Sequence, residues 1–418
     1  MDKRKIPAKR PAAPKRRAAT ERPRIAIVGG NFAGLTAAQG LGREYDVTVI
    51  DRSPHFEWLP NIHELLSGEK RTADLRLSRA RVVKRAGHRF LRAEVETIDA
   101  AAGTLVTSTG REVRFDACIV AVGGVGETYG VRGVERNAMT FKSVDDCARI
   151  GRRLESIARQ RGKRSVVIVG GGFEGIEALG EILRKHRGLP GLSITIVEAG
   201  PRLLPGMPAG MAKAVLAHCV AQEVRVCTGS PVNAVLPTRV RLESGESLPS
   251  SLTIWTGGIT APAILFKSRL APKPRKWAPV QPTLQSRRFK NVFVVGDAAA
   301  LPRPLAKQAY FAMQMGECAA ANVKRWFAGR RLRAFDPSPK PKLVAFGDLD
   351  TYFVAGGTMI ASPRLAALKE AVYQATMAQI DPPVSPAALR NLASRLGGAL
   401  KGVALPGVSL HRSLLFGR

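Results

Sequence analysis

The sequence predicts an α/β fold built on parallel sheets, and three observations carry that prediction. A short apolar run, a glycine-rich turn and the start of a helix occur in that order at Arg24–Leu35 (RIAIVGGNFAGL), and the succession returns at Ser165–Leu183 (SVVIVGGGFEGIEALGEIL). Each is followed by a second apolar run that ends on an acid, Asp46–Ile50 on Asp51 and Leu192–Val197 on Glu198. Phe115–Gly124 (FDACIVAVGG) adds a further buried-type strand with glycines at its end. Strands that alternate with helices in this way are joined by crossovers, and crossovers imply parallel pairing. The chain reads as an internal duplication of one βαβ unit.

The two turns carry the chemistry. In the second, Gly170, Gly172 and Gly175 satisfy GxGxxG, and Glu198 follows 23 residues after the last of them. The first glycine permits the tight turn, the second lets a pyrophosphate approach the backbone, and the third lets the helix pack on the strand with its positive end toward the phosphates. An acid at the end of the next strand accepts hydrogen bonds from ribose hydroxyls and repels a 2′-phosphate, so Glu198 favours NADH over NADPH, with Arg202 nearby acting against it. The first turn departs from the pattern: Gly29, Asn31 and Gly34 hold the three positions, and Asp51 comes 17 residues later. Asn tolerates a left-handed backbone but narrows the approach to a phosphate, which Gly30 beside it would relieve.

Composition sets the class. The chain has 418 residues, 45% of them hydrophobic, with 41 Gly and 28 Pro, so it can bury a core and is neither disordered as a whole nor fibrous. No apolar run approaches the ~20 residues of a membrane span, and no secretory signal is visible. With 65 Lys plus Arg against 33 Asp plus Glu, the net charge is +32. Eight of those cations lie in residues 1–20 beside the single acid Asp2, interleaved with Pro and Ala, which reads as a disordered basic tail. A polyanionic surface, phospholipid or nucleic acid, is the partner such a charge would suit, and a solvated excess of Arg is the alternative. Cysteines at 118, 147, 219, 227 and 318 form no CxxC or CxxxxC pair, and six scattered histidines form no metal-ligand pattern, so neither a disulfide framework nor a metal is expected.

From Arg24 to about Thr358 the chain resembles the two-dinucleotide-binding flavoprotein superfamily, in particular type II NADH dehydrogenases and the related apoptosis-inducing-factor-like quinone reductases. The segments that carry the resemblance are GGGFEGIE (Gly170–Glu177), VEAGPRLLP (Val197–Pro205), IWTGG (Ile254–Gly258), NVFVVGDAA (Asn291–Ala299) and PLAKQAYFAMQMG (Pro304–Gly316). The resemblance implies two Rossmann-like domains, one for FAD and one for NAD(H), the second inserted in the first, with a small C-terminal helical region. The implied boundaries are a tail at 1–21, FAD-binding parts at 22–140 and 265–345, an NAD(H)-binding domain at 141–264, and a C-terminal region at 346–418.

It also implies site residues. FAD would lie against Gly29, Gly30, Asn31, Phe32, Ala33, Gly34, Asp51, Arg52, Pro60, Val95, Gly123, Gly296, Asp297, Lys307, Gln308 and Ala309. NAD(H) would lie against Gly170, Gly172, Phe173, Gly175, Glu198 and Gly258. Glu177, Lys307, Gln308 and Tyr310 would serve the reaction, Glu177 near the nicotinamide and the other three at the flavin's pyrimidine edge and quinone pocket. From the residues alone, Asp297 sits at a strand's C-terminal end, where ligands of parallel sheets bind, and also reads as a helix N-cap. Glu177 also reads as a solvated first-turn carboxylate favoured by the helix dipole. Lys307 and Gln308 also read as residues of a surface helix. The Lys at 307 is nearer to the Lys-containing relatives than to the Ala-Gln form of the type II dehydrogenases, which leaves the electron acceptor open.

Absences narrow the chemistry further. Disulfide reductases of this superfamily carry a CxxxxC pair after the first glycine turn, and the helix from Gly34 onward has no cysteine. Cys118, Cys147 and Cys318 read as buried small hydrophobes rather than redox sulfurs. Beyond Thr358, Leu365, Leu368, Val372, Thr376 or Met377, and Ile380 follow helical spacing, as do Leu389, Leu392, Leu396, Leu400 and Val403, with Ser385 as cap and Pro386 at the first position. Five Lys/Arg and no acid between Ser385 and Arg418 suit an interfacial helix on an anionic membrane, and a helix packed on the body or on a second subunit is the alternative. The expected activity is hydride transfer from NADH to the flavin and on to a quinone, at the cytoplasmic face of a membrane. A non-quinone acceptor and a nucleic-acid-associated regulatory flavoprotein are the other readings. Nucleic acid is the less expected partner, and a homodimer is compatible with the sequence.

Overall fold

The computed structural model describes residues 21–383 together with 390, 391 and 394. The chain divides into two compact units. Among the described residues the first takes 21–56, Ser78–Gly124 and Ala261–Ser338; the second takes Glu57–Leu77, Val125–Thr260 and 339–383.

In the first unit five parallel strands lie in the order Val292–Val294, Ala117–Val120, Arg24–Val28, Asp46–Asp51, Arg89–Arg92. The strand before the glycine turn is central because it is apolar on both faces: Ile25, Ala26, Ile27 and Val28 are all buried. The helix Phe32–Gly40 packs on the long helix Ala309–Phe327, and small residues set the distance. A Cβ on Gly316 would stand 2.3 Å from the carbonyl oxygen of Ala33, so the two helices are in backbone contact there.

The second unit repeats the plan, as the duplicated sequence predicts. Its five parallel strands run Met139–Thr140, Leu252–Trp255, Arg164–Val169, Leu192–Val197, Arg225–Cys227. Again the strand before the glycine turn sits between the strand that ends on an acid and a strand from later in the chain. This is the switch point where open α/β sheets bind ligands.

The division of the chain differs from the expected boundaries for identifiable reasons. Val125–Gly126 pairs antiparallel with Ile259–Thr260, and Met139–Thr140 forms the sheet edge against Leu252–Trp255, so the second unit begins before residue 141 and ends before 264. The chain after Pro339 also joins it. Lys342–Phe346, Asp350–Ala355 and Thr358–Ala361 form an antiparallel sheet that the sequence reading missed. That sheet rests on the helix Phe173–His186 where a Cβ on Gly180 would meet the Gly347 nitrogen at 2.3 Å.

The helix expected from Leu365 onward is present as Ala366–Ile380, but its buried face is not the expected stripe. Leu365, Lys369, Tyr373 and Ile380 face inward, while Leu368, Val372, Thr376 and Met377 are only half-buried. Tyr373 donates its hydroxyl to the Asp74 carbonyl and Lys70 pairs with Glu370 at 2.7 Å, fastening the helix to the segment Glu57–Leu77. Of the second expected helix, from Leu389 to Val403, residues 390, 391 and 394 are described and helical; the rest of it and residues 1–20 of the basic tail lie outside the described residues. Among the described residues no helix is long and apolar enough to cross a membrane.

Glu181 is a fully buried acid on the helix Phe173–His186. It accepts from the Ser67 hydroxyl and lies 3.4 Å from Arg184, while its Oε1 has no hydrogen-bond partner. Burial pushes its pKa up to about 7, with Glu64 and Glu69 adding to the shift against Ser67 and Arg184.

Two outcomes follow from this packing. Gly316→Ala should lower stability by about 1–3 kcal/mol in urea denaturation, because the added methyl must part the two helices, whereas Gly357→Ala, whose Cβ meets nothing within 4 Å, should change it by less than about 0.5 kcal/mol. The folded protein holds the Glu181 proton to a higher pH than the unfolded chain does. That contribution is complete below the usual carboxylate pKa and is lost as pH rises through about 7. Relative to the wild type, Glu181→Gln should therefore gain up to about 3 kcal/mol between pH 4.5 and 8, read from denaturation midpoints; parallel profiles would place the proton elsewhere.

Candidate active site

The first glycine turn is fixed from three sides. Gly29 has φ +97°, and a Cβ there would lie 2.3 Å from the Ala121 carbonyl oxygen. A Cβ on Gly34 would lie 1.9 Å from the Gly29 carbonyl oxygen, so the helix Phe32–Gly40 sits directly on the turn. Gly30 N–H donates to Asp51 Oδ2 at 2.8 Å. Asn31 is the N-cap at φ −101°, ψ −150°, extended backbone that any residue adopts, so the left-handed conformation considered for it is not used.

Arg79 is the cation that sequence reading missed. Its Nη1 lies 2.8 Å from Asp51 Oδ1, its Nε donates to the Gly30 carbonyl at 2.5 Å, and it also donates to the Ser53 carbonyl, with the side chain 4% exposed. Gly30 is glycine for that reason: a Cβ would stand 2.5 Å from Arg79 Cδ. No local signal singles it out: Ser78 caps the helix Arg79–Arg85, which places Arg79 at the start of that helix but does not tell that it meets Asp51. Arg52, the cation expected here, turns to the surface and pairs with Glu94 at 3.7 Å.

The remaining residues expected at the flavin fall in several places. Gly123, at φ +64°, has open space where a Cβ would be. Val95 opens the antiparallel strand Val95–Asp99. Phe32 and Ala33 are buried, with the Phe32 ring edge-on to Phe56 at 5.1 Å. Gly296 has φ +66° and starts a single 3₁₀ turn, Gly296–Ala298; Asp297 lies within that turn rather than capping an α-helix. Lys307 donates to the carbonyls of Asp297 at 2.6 Å and Ala299 at 3.1 Å and stands over the Trp277 ring at 4.3 Å. It latches this turn and precedes the helix Ala309–Phe327. Tyr310 packs its ring on Phe311 at 4.3 Å. Pro60 lies in the short 3₁₀ helix Leu59–Asn61 of the second unit.

Gln308 tests whether these residues suit a flavin nucleotide. It is the N-cap of Ala309–Phe327, yet its side chain makes no cap hydrogen bond, and its Oε1 is buried without a partner. Buried carbonyl oxygens cost free energy unless a donor meets them, so this one fits a ligand N–H or O–H. Together with the closed turn at Gly29–Gly34, the residues fit the group.

The second turn has the same construction. Gly170, at φ +112°, would place a Cβ 2.5 Å from Thr256 Oγ1, and a Cβ on Gly175 would meet the Gly170 carbonyl oxygen at 1.8 Å. Glu198 accepts from Gly171 N–H and Gly200 N–H, each at 2.7 Å. At Gly172 a Cβ would meet nothing within 4 Å, which leaves space for a phosphate at the N-terminus of Phe173–His186. Arg202 donates to the carbonyls of Leu204 at 3.1 Å and Met207 at 2.9 Å, so it is held by its own loop. Phe173 opens the helix, with Lys342 Nζ 5.7 Å from its ring centroid, and Gly258, at φ +92°, bonds back to Thr256.

Glu177 is neither in the first turn nor solvated; the acid of the first turn is Glu174. Lys369 Nζ meets Glu177 Oε1 at 2.5 Å, and Ala345 N–H donates to the same oxygen at 3.3 Å. His63, 1% exposed, places Nε2 3.1 Å from Lys369 Nζ and Nδ1 3.6 Å from Glu177 Oε2. Burial raises the Glu177 pKa against the pull of Lys369, and burial, then Lys369, Arg184 and Lys70, hold His63 well below the usual imidazole value. Neither His63 nor Lys369 was singled out from sequence: in the stretch that holds His63 only Pro60 was, and Lys369 falls between the apolar positions of the helix expected from Leu365.

No thiol competes for this chemistry. Cys118, Cys147, Cys219 and Cys227 are buried, and Cys318, expected to be buried, is partly exposed. Burial pushes the thiols of Cys118 and Cys147 upward and those of Cys219 and Cys318 to about 11, away from the reactive thiolate.

Comparison with known proteins agrees with this architecture. The family model described as pyridine nucleotide-disulphide oxidoreductase matches residues 23–316. A type II NADH:quinone oxidoreductase of Staphylococcus aureus (strain NCTC 8325 / PS 47) is 27% identical over 386 residues, covering 85% of this chain and 95% of the relative. Among solved structures, NDH2 from Plasmodium falciparum in complex with NADH superposes with a TM-score of 0.78 at 16% identity, over 93% of this chain and 100% of that one. The sulfide:quinone oxidoreductase of Aquifex aeolicus gives 0.74 at 19% identity, over 86% and 91%. With both glycine turns inside the matched span, the chain belongs to the pyridine nucleotide-disulphide oxidoreductase family, as an FAD-dependent oxidoreductase of NAD(P)H.

Proposed function

We propose that the protein is an NADH:quinone oxidoreductase working at an anionic membrane surface. The observation that carries this reading is the Glu177–Lys369 pair, buried one helical turn beyond the open Gly172 position. Reduction of a quinone by NADH consumes one proton beyond the hydride, and a buried ammonium–carboxylate pair is a place to hold one. Bound FAD supplies the redox chemistry, taking hydride from the nicotinamide and giving two electrons to the acceptor. The chain's own residues do the rest. Gly170–Gly175 and the helix N-terminus receive the dinucleotide phosphates, and Glu198, held by two backbone N–H groups, receives ribose hydroxyls. Gly29–Gly34, Asp51 and Arg79 do the same for the flavin nucleotide, while Gln308 Oε1 accepts a donor from it.

The quinone is supported by the Staphylococcus aureus relative, matched over 95% of its length. A sulfide donor is disfavoured by the thiols, each buried or pushed far from ionisation. The membrane is supported by the net charge of +32 and by the acid-free segment Ser385–Arg418, since each cation near an anionic leaflet adds about 1 kcal/mol.

Anaerobic titration with NADH should bleach the flavin band near ~450 nm, and a ubiquinone analogue should restore it. Bleaching without restoration would remove the quinone and keep the oxidoreductase; a band that NADH leaves unchanged would overturn the role of Gly170–Gly175. Arg79→Met should raise the FAD dissociation constant at least ~10-fold, because Asp51 then loses its buried counter-charge, and Arg79→Lys should recover part of the loss. The ratio of flavin to protein absorbance after gel filtration reads both.

A further inference from the structure

We propose that His63 is a positioning residue that sets the protonation of the Glu177–Lys369 pair, by taking one ammonium hydrogen on Nε2 and turning its own Nδ1–H toward the carboxylate. The geometry fixes the tautomer. A lysine ammonium can only donate, so the 3.1 Å contact with Lys369 makes Nε2 the acceptor and leaves the single hydrogen of a neutral imidazole on Nδ1. That nitrogen faces Glu177 Oε2 at 3.6 Å, while Oε1 takes Lys369 and Ala345 N–H. The three side chains close a ring of facing polar atoms. Among the described residues the Lys369 ammonium has two partners, Glu177 and His63.

The surroundings keep the imidazole neutral. Arg184 on the helix of Glu177, Lys70 on the segment of His63, and Lys369 from the third element all oppose a second proton on the ring. Glu64 lies on the other side, its Oε1 3.9 Å from Nε2, held by Asn61 at 2.8 Å and by Lys70 at 3.5 Å. A buried ion pair keeps its charges only when its remaining hydrogen-bonding positions are met. His63 meets one on Lys369 and turns its Nδ1–H toward Glu177 Oε2 at 3.6 Å, an electrostatic contact longer than a hydrogen bond. Without it the ammonium loses an acceptor and the carboxylate a facing N–H dipole, and the pair drifts toward its neutral form.

The test uses the full-length holoenzyme with His63→Phe and His63→Gln, whose amide can accept from Lys369 and donate to Glu177. Stopped-flow measurements from pH 5.5 to 9 separate reduction by NADH from reoxidation by a ubiquinone analogue. Reduction should stay within about two-fold in all three proteins. Reoxidation should slow at least ~10-fold in His63→Phe with its pH midpoint moved by about one unit, and His63→Gln should recover most of both. A His63→Phe profile that overlays the wild type, or a His63→Gln no better than His63→Phe, overturns the inference. The kinetic effect rests on the quinone reading, so a second measurement stands apart from it. The Glu177 carboxylate infrared band, identified by difference against Glu177→Gln, should titrate at higher pH in His63→Phe than in the wild type. A shifted band in an enzyme that quinone does not reoxidise keeps the inference and removes the acceptor, whereas an unshifted band overturns the inference whatever the acceptor.

Discussion

Each half of the duplicated chain depends on one interaction: a carboxylate at the end of the second strand holding the N–H of a glycine in the turn after the first. Asp51 holds Gly30 and Glu198 holds Gly171, at 2.8 and 2.7 Å. A hydrogen bond to a charged acceptor contributes about 1.5–3 kcal/mol, and here it also orients a peptide whose neighbours must stay free for phosphate. The flanking glycines serve the same end by sterics. The first puts its Cα against a carbonyl of the adjacent strand, and the third lets the helix rest on the turn, so the turn has one conformation and the helix dipole one direction.

The halves then diverge in how each acid is completed. Asp51 takes the buried Arg79, which also grips the turn carbonyl of Gly30 and so fills the space that a side chain there would occupy. Glu198 instead takes a second backbone N–H, that of Gly200. The nearest basic residue in sequence, Arg202, is bound to loop carbonyls. One carboxylate is thus completed by a cation and a turn N–H, the other by two backbone N–H groups.

The second half also carries an unusual load of buried charge. Glu177, Glu181, His63 and Lys369 come from three separate stretches and are each largely removed from solvent. Desolvation alone would neutralise most of them, and the partners they find determine which keep their charge. Glu181, with one oxygen unmet and Arg184 at 3.4 Å, holds its proton to about pH 7; Glu177 has Lys369 closer, at 2.5 Å, and a backbone N–H on the same oxygen.

Much of this was legible in the sequence. Short apolar strands, the spacing of Gly29, Asn31 and Gly34 and of Gly170, Gly172 and Gly175, and the acids that follow are local patterns, and local sterics allow such turns few conformations. Parallel pairing follows from them through the crossovers that join the strands, whereas the order of strands in each sheet came from the structure. Contacts between segments far apart in the chain were not legible. Arg79 reads as one basic residue among many until the fold sets it on Asp51, and Arg52, next to that acid in sequence, points the other way. The helix Ala366–Ile380 shows an apolar stripe, Leu368, Val372 and Met377, that period alone would bury, yet Lys369 and Tyr373 are buried because Glu177, His63 and Asp74 wait on that side. Period reports which positions share a face of a helix. Which face is buried depends on the chemistry of what it meets, and that is decided only when the chain has brought the two surfaces together.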